Sequence, residues 1–168
     1  NFILLGILLI LSAFFSASET AFTSLSKLKV RHMVDAKIKG AKHIAKILDK
    51  PNKMLTSILV GNNIVNITMT SIATALTIHY LGESGTGIAA VITTIAILLF
   101  GEITPKTLAN TFPEKVCIGV AFILRIIIFV LTPFSIVFSK ISDLFLILFG
   151  HKQGKKKVSI TEEELKTM

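Results

Sequence analysis

The chain has 168 residues, 52% of them hydrophobic, with a mean hydropathy of +0.75 and a net charge of +8. That hydropathy excludes an ordinary water-soluble domain, and the single cysteine, Cys117, excludes an internal disulfide or a thiolate cluster. The positive charge does not point to nucleic acid: nine of the 18 Lys and Arg crowd between Lys27 and Lys53, flanked by uncharged runs and without interleaved aromatic rings.

Residues 1–18 are uncharged and end at Glu19. No basic stretch precedes them, so a cleavable signal peptide is not expected. A helix of about 20 apolar residues crosses a bilayer, and a first span is expected over about residues 1–25. Within it Ser12, Ser16, Glu19 and Thr23 recur at i, i+4, i+7 and i+11, on one helical face. The small residues Ser16, Ala17 and Ser18 let another helix approach closely. Read singly, each serine can bond back to its own helix, and Glu19 can meet a lysine such as Lys27.

The basic segment follows. Val30, Met33, Val34, Ile38, Ala41, Ile44, Ala45 and Leu48 repeat near helical spacing with lysines between them, so juxtamembrane helix is expected over 27–50, closed by Pro51. Such a positive loop belongs on the cytoplasmic side, facing the anionic leaflet of the lipid bilayer. The second span is residues 54–81, 28 positions without Asp, Glu, Lys or Arg. It contains Gly61-Asn62-Asn63-Ile64-Val65-Asn66, with Asn62 and Asn66 one turn apart and Thr70 a turn beyond. Asparagines in a membrane helix are costly without partners. An interhelical clamp accounts for one asparagine more readily than for three.

The turn His79–Gly85 lacks Lys and Arg, as an outer loop should. A third span over about 84–108 runs uncharged to Gly101-Glu102-Ile103-Thr104-Pro105-Lys106. Pro105 has no N–H, so the Gly101 carbonyl four residues back loses its helical partner beside the Glu102 carboxylate. An acidic residue at that depth is a functional-site hypothesis. The bland alternative is an ion pair between Glu102 and Lys106 at i+4.

Residues 114–149 are apolar but carry Arg125, Pro133, Lys140 and Asp143, and the basic stretch His151–Lys157 follows. A single crossing would export that stretch. The alternatives are a hairpin at about Pro133 or helices along the inner interface with Arg125 and Lys140 snorkelling, and the interfacial arrangement is expected. Residues 1–150 would then be one transmembrane domain, with the N-terminus outside and the C-terminus cytoplasmic. Residues 151–168 would be a basic linker, and Ser159–Glu164 the start of a helix in a further soluble domain.

The donors these motifs supply are hydroxyls, amide oxygens, a backbone carbonyl and one carboxylate. Hard oxygen ligands select Mg²⁺, Ca²⁺, Mn²⁺ or Na⁺ over Zn²⁺ or Cu. An enzyme is not expected, since the spans hold no nucleophile–base pair.

Phe15-Ser16-Ala17-Ser18-Glu19-Thr20-Ala21, Gly61-Asn62-Asn63-Ile64-Val65-Asn66 and Gly101-Glu102-Ile103-Thr104-Pro105-Lys106, in this order and spacing, resemble the membrane domain of the CorC/hemolysin C and cyclin M (CNNM) magnesium-transporter family. Ala17 stands where the family commonly has glycine. The resemblance implies an all-α homodimer in the cell membrane, three spans per subunit, belt helices at the inner surface and a Mg²⁺ site in each subunit. Carried over, its ligands are Ser16, Asn66 or Asn62, Gly101 and Glu102, with Ser18 and Glu19 as further candidates beside them. Cytosolic CBS nucleotide-binding modules follow the domain in the family. The implied function is Mg²⁺ export in exchange for Na⁺ by alternating access. The alternative is a membrane-anchored Mg²⁺ sensor that passes no ion.

The topology is directly testable. Single cysteines at Lys42, Gly85 and Lys155 in a Cys117→Ser background, probed in intact cells with a membrane-impermeant reagent, should label at position 85 alone. Labelling at 155 but not at 42 would mean an odd number of crossings in 116–149.

Overall fold

The computed structural model describes residues 2–148, with side chains to Val137 except Ser135. The basic stretch His151–Lys157, the Ser159–Glu164 helix start and the side chain of Lys140 lie outside the described residues. The regular secondary structure of the described residues is all helical. Helix α1 is Phe2–Ser24, α2 Lys27–Asp35, α3 Ala41–Leu48 and α4 Pro51–Leu81. After a short 3-10 turn come α5, Thr86–Ala96, a π-helical segment Ile97–Ile103, α6, Thr104–Thr111, and α7, Pro113–Leu148.

Four helical stretches are long and apolar enough to cross a membrane: Phe2–Ser24, Pro51–Leu81, Glu83–Thr111 and Pro113–Phe134. The first three coincide with the expected spans. The fourth falls where interfacial helices were expected, and α7 runs unbroken through Pro133, so no hairpin forms there. Arg125 lies within that fourth stretch, and its guanidinium donates to His43 Nδ1 at 3.2 Å, which ties α7 to α3.

The basic segment is helical but broken. Lys37 (φ 54°) and Gly40 (φ 92°) both sit in the left-handed region, where glycine is strain-free. They turn the chain between α2 and α3, so one apolar stripe becomes two short ones, Val30 and Met33, then Ala41, Ile44 and Ile47, all buried. Ser26 caps α2 by accepting from the Lys29 amide at 3.2 Å. This helical pair sits on the first half of α7: Ile118 lies against Gly40, and Lys29 pairs with Glu114 at 2.5 Å.

Helix α1 is the hub, packed against α4, α6, α7 and the π segment. Its buried stripe is Leu8, Ser12, Phe15, Ser16, Ala21 and Phe22, and that of α4 is Met54, Ile58, Gly61, Val65, Met69 and Ala73. Both follow helical spacing, yet large apolar side chains elsewhere on these helices, such as Ile10 and Ile67, are exposed, as a lipid-facing surface requires.

Gly61 is where α1, α4 and α7 meet. A Cβ there would fall 2.5 Å from Phe15 Cζ and 3.1 Å from Leu131 Cδ1. Small residues permit such approaches between membrane helices. Gly61→Val should cost about 1–3 kcal/mol by overpacking and lower the midpoint of heat-induced loss of the folded peak in size-exclusion chromatography. Adding Phe15→Leu should recover part of it, and no recovery would mean that this contact is not the source.

Candidate metal centre

Three elements converge near the middle of α1 and α4. Ser12 Oγ donates to Asn66 Oδ1 at 2.7 Å and lies 3.4 Å from Asn62 Oδ1. A hydroxyl has one proton, so two amide oxygens face a donor able to satisfy only one of them. Asn66 in turn offers its Nδ2 to Glu102 Oε1 at 3.4 Å. The chain Ser12–Asn66–Glu102 thus links α1, α4 and the π segment. Asn62 and Asn66 share a face because they are one turn apart. Asn63 is exposed and takes no part.

The π segment sets the depth of the carboxylate. The helical run Glu83–Thr111 continues past Glu102, so the acid faces the middle of its neighbours rather than the end of a span. π-helical turns are rare and frequent at functional sites. Here the Thr104 amide bonds to the Leu99 carbonyl, five residues back. In this register the carbonyl five residues before Pro105 is Phe100 and the one four residues before it is Gly101. Pro105 has no N–H for either. Gly101 is buried, and a Cβ there would stand 2.8 Å from Ser12 Oγ and 3.4 Å from Ser12 Cβ. Glycine therefore brings its own backbone against the serine that holds Asn66.

Of the residues singled out from sequence, Asn62, Asn66, Gly101 and Glu102 come together. Ser16 lies one turn along α1 from Ser12, is 1% exposed, and has a hydroxyl without a hydrogen-bond partner among the described residues. A buried hydroxyl in that condition is costly and suited to an added ligand. Ser18 is occupied differently, donating back to the Phe14 carbonyl at 2.6 Å. Glu19 lies 3.6 Å from Lys106 Nζ. Lys106 therefore turns to α1 rather than to Glu102, and Glu102 has no ion-pair partner among the described residues. Ser12 is the group that sequence reasoning left out of the ligand set. Its signal was its place on the Ser16 face.

Among the described residues no three His, Cys, Asp or Glu side chains are grouped as a metal cluster. What the site offers a cation is one carboxylate, neutral hydroxyl and amide oxygens, and the backbone at Gly101. That set fits a hard cation.

Fold and site together define a multi-pass, all-helical membrane domain. A family model described as the cyclin M transmembrane N-terminal domain matches residues 3–168, and the chain belongs to that family. It is 37% identical to a UPF0053 protein of Haemophilus influenzae, over 99% of this chain and 40% of the relative. It is 33% identical to the UPF0053 inner membrane protein YfjD of Escherichia coli, over 94% of this chain and 37% of that protein. A chloroplastic DUF21 domain-containing protein of Arabidopsis thaliana is 35% identical over 99% of this chain and 25% of its own length. The chain thus spans well under half of each of these relatives.

Gly101→Ala should destabilise the fold by about 1–3 kcal/mol, because Ser12 Oγ is held by Asn66 and cannot simply swing aside. Ser12→Ala in the same chain should recover part of the lost thermal stability. Strictly additive losses would show that the two residues do not press on each other.

Proposed function

We propose that this domain binds and transports Mg²⁺, exporting it in exchange for Na⁺ as the helices carrying the site alternate between two orientations. The observation that carries the reading is the oxygen excess at Ser12, Asn62 and Asn66 beside a carboxylate with no ion-pair partner among the described residues. Two amide oxygens compete for one proton, so an incoming cation gains lone pairs that no protein donor fills. Ser16, buried and without a hydrogen-bond partner among the described residues, extends the same face. Membership of the cyclin M family supports a transport-related role in the membrane.

One carboxylate among neutral oxygens gives the site a charge of −1, which becomes +1 with Mg²⁺ and zero with Na⁺. The two ions would therefore favour different arrangements of their surroundings, and a difference of that kind is what a gradient of one ion needs to drive the other. Homodimerisation, a cytoplasmic C-terminus and CBS-type partner domains belong to the same proposal, in keeping with the positive-inside placement of α2 and α3.

Isothermal calorimetry and vesicle flux test it together. Glu102→Gln is nearly isosteric and should abolish Mg²⁺ binding with the helical circular dichroism unchanged. Ser12→Ala and Asn66→Ala should each weaken binding about tenfold, the loss of a single charge-assisted contact. Pro105→Ala, which restores an N–H, should weaken it less. Wild-type affinity in Glu102→Gln would sink the site. Mg²⁺ flux indifferent to an imposed Na⁺ gradient at clamped voltage would remove the coupling, and binding without any flux would make the domain a sensor.

A further inference from the structure

A second cleft lies at the start of α4, apart from the oxygen cluster at Asn62 and Asn66. Lys46 and Ile47 from the end of α3, Lys50 just before α4, Lys53 and Met54 from its start, and Arg125 and Ile128 from α7 enclose a space of about 100 Å³. Four cationic side chains line it and no carboxylate does. Asp49, the nearest acid in sequence, faces a separate cleft with Lys27 and Arg31. None of the four cations is ion-paired among the described residues, and the Arg125 guanidinium is steadied by the His43 ring.

Helix polarity acts in the same sense. The 31-residue α4 begins here, with Pro51 in its first turn and no side chain capping it, so the positive end of its dipole opens into the cleft. The floor is apolar: Ile47 and Met54 are 5% and 2% exposed. From Ile128 the apolar surface continues along α7, where Phe129 and Val130 are 81% and 60% exposed.

We propose that this cleft is a specific site for the phosphate headgroup of an anionic phospholipid of the inner leaflet, with an acyl chain laid along α7. Its cations answer the phosphate. The cleft sits at the level where a span leaves the basic interface, and its floor continues into lipid-facing surface. Basic pockets between membrane helices on the cytoplasmic side take such headgroups. A soluble anion would use the cations and leave the apolar path unexplained. The inner-leaflet assignment rests on the positive-inside orientation, not on the Mg²⁺ reading.

The test is lipid binding by the purified protein in nanodiscs of phosphatidylcholine, titrated with phosphatidylglycerol and read by retained lipid in native mass spectrometry. Wild type should retain phosphatidylglycerol in preference to phosphatidylcholine. K46Q/K50Q/K53Q should reduce that retention roughly tenfold or more, as the loss of three cations near the phosphate requires. K37Q/K39Q/K42Q removes equal charge from a different cleft and should leave it unchanged. Equal losses in the two variants would mean diffuse surface charge and overturn the site. Displacement of the lipid by inorganic phosphate would make it a soluble-anion site and also overturn the proposal, as would a wild type without preference between the lipids.

Discussion

Water is missing from the bilayer core, and a polar group carried into it is costly unless it finds a partner within the protein. Ser12, Asn62, Asn66 and Glu102 come from three stretches far apart in sequence, and the arrangement of the helices is the one in which these groups reach each other. Elsewhere the helix interfaces are mostly Ala, Gly, Met, Phe and aliphatic side chains, which lipid solvates as well as protein does, with a few buried serines among them. They fit together closely but offer little reason to choose one mutual rotation over another. The polar chain supplies that reason, and Gly101 and Gly61 allow the backbones near enough for it to close.

The same demand sorts the charges. Lys106 lies four residues from Glu102 and would neutralise it on an isolated helix. It pairs instead with Glu19 on α1, where both side chains reach a partly exposed rim. Glu102 is left with an amide for company. Arg125, Lys46, Lys50 and Lys53 gather around the start of α4, so these cations stay at the rim while the oxygen atoms lie nearer the helix's middle.

Much of this was legible in the sequence. The three spans follow from uncharged runs, and Asn62, Asn66, Gly101 and Glu102 stand out because polar residues within such runs need an explanation. The position of α1 along its own axis was not legible. Ser12 and Ser16 lie on one face, and only tertiary packing decides which turn of that face meets Asn66. The break between α2 and α3 had a local sign in Gly40, overridden by the apolar repeat that continues on both sides of it. Arg125 and Pro133 weighed against a continuous α7 as long as they were read along one helix. In the structure the Arg125 charge is met by His43 on α3, a contact that one helix read alone does not show. Pro133 proved compatible with one helix, as prolines in membrane helices often are.

The π segment Ile97–Ile103 is also a matter of angular phase. Each of its hydrogen-bonded loops holds one residue more than an α-helical loop, so the chain turns through less than the usual angle per residue. Helices α5 and α6 lie along one run, yet α5 packs on α4 while α6 and the π segment pack on α1. A helical wheel drawn with a single period through 86–111 would therefore assign the wrong inner face to one end or the other. Removing one residue from this stretch would put the two ends back in phase and carry either Ala109 or the α5 contact face away from its neighbour. The unusual winding acts as a fixed angular offset, letting one continuous span serve two partners that lie in different directions.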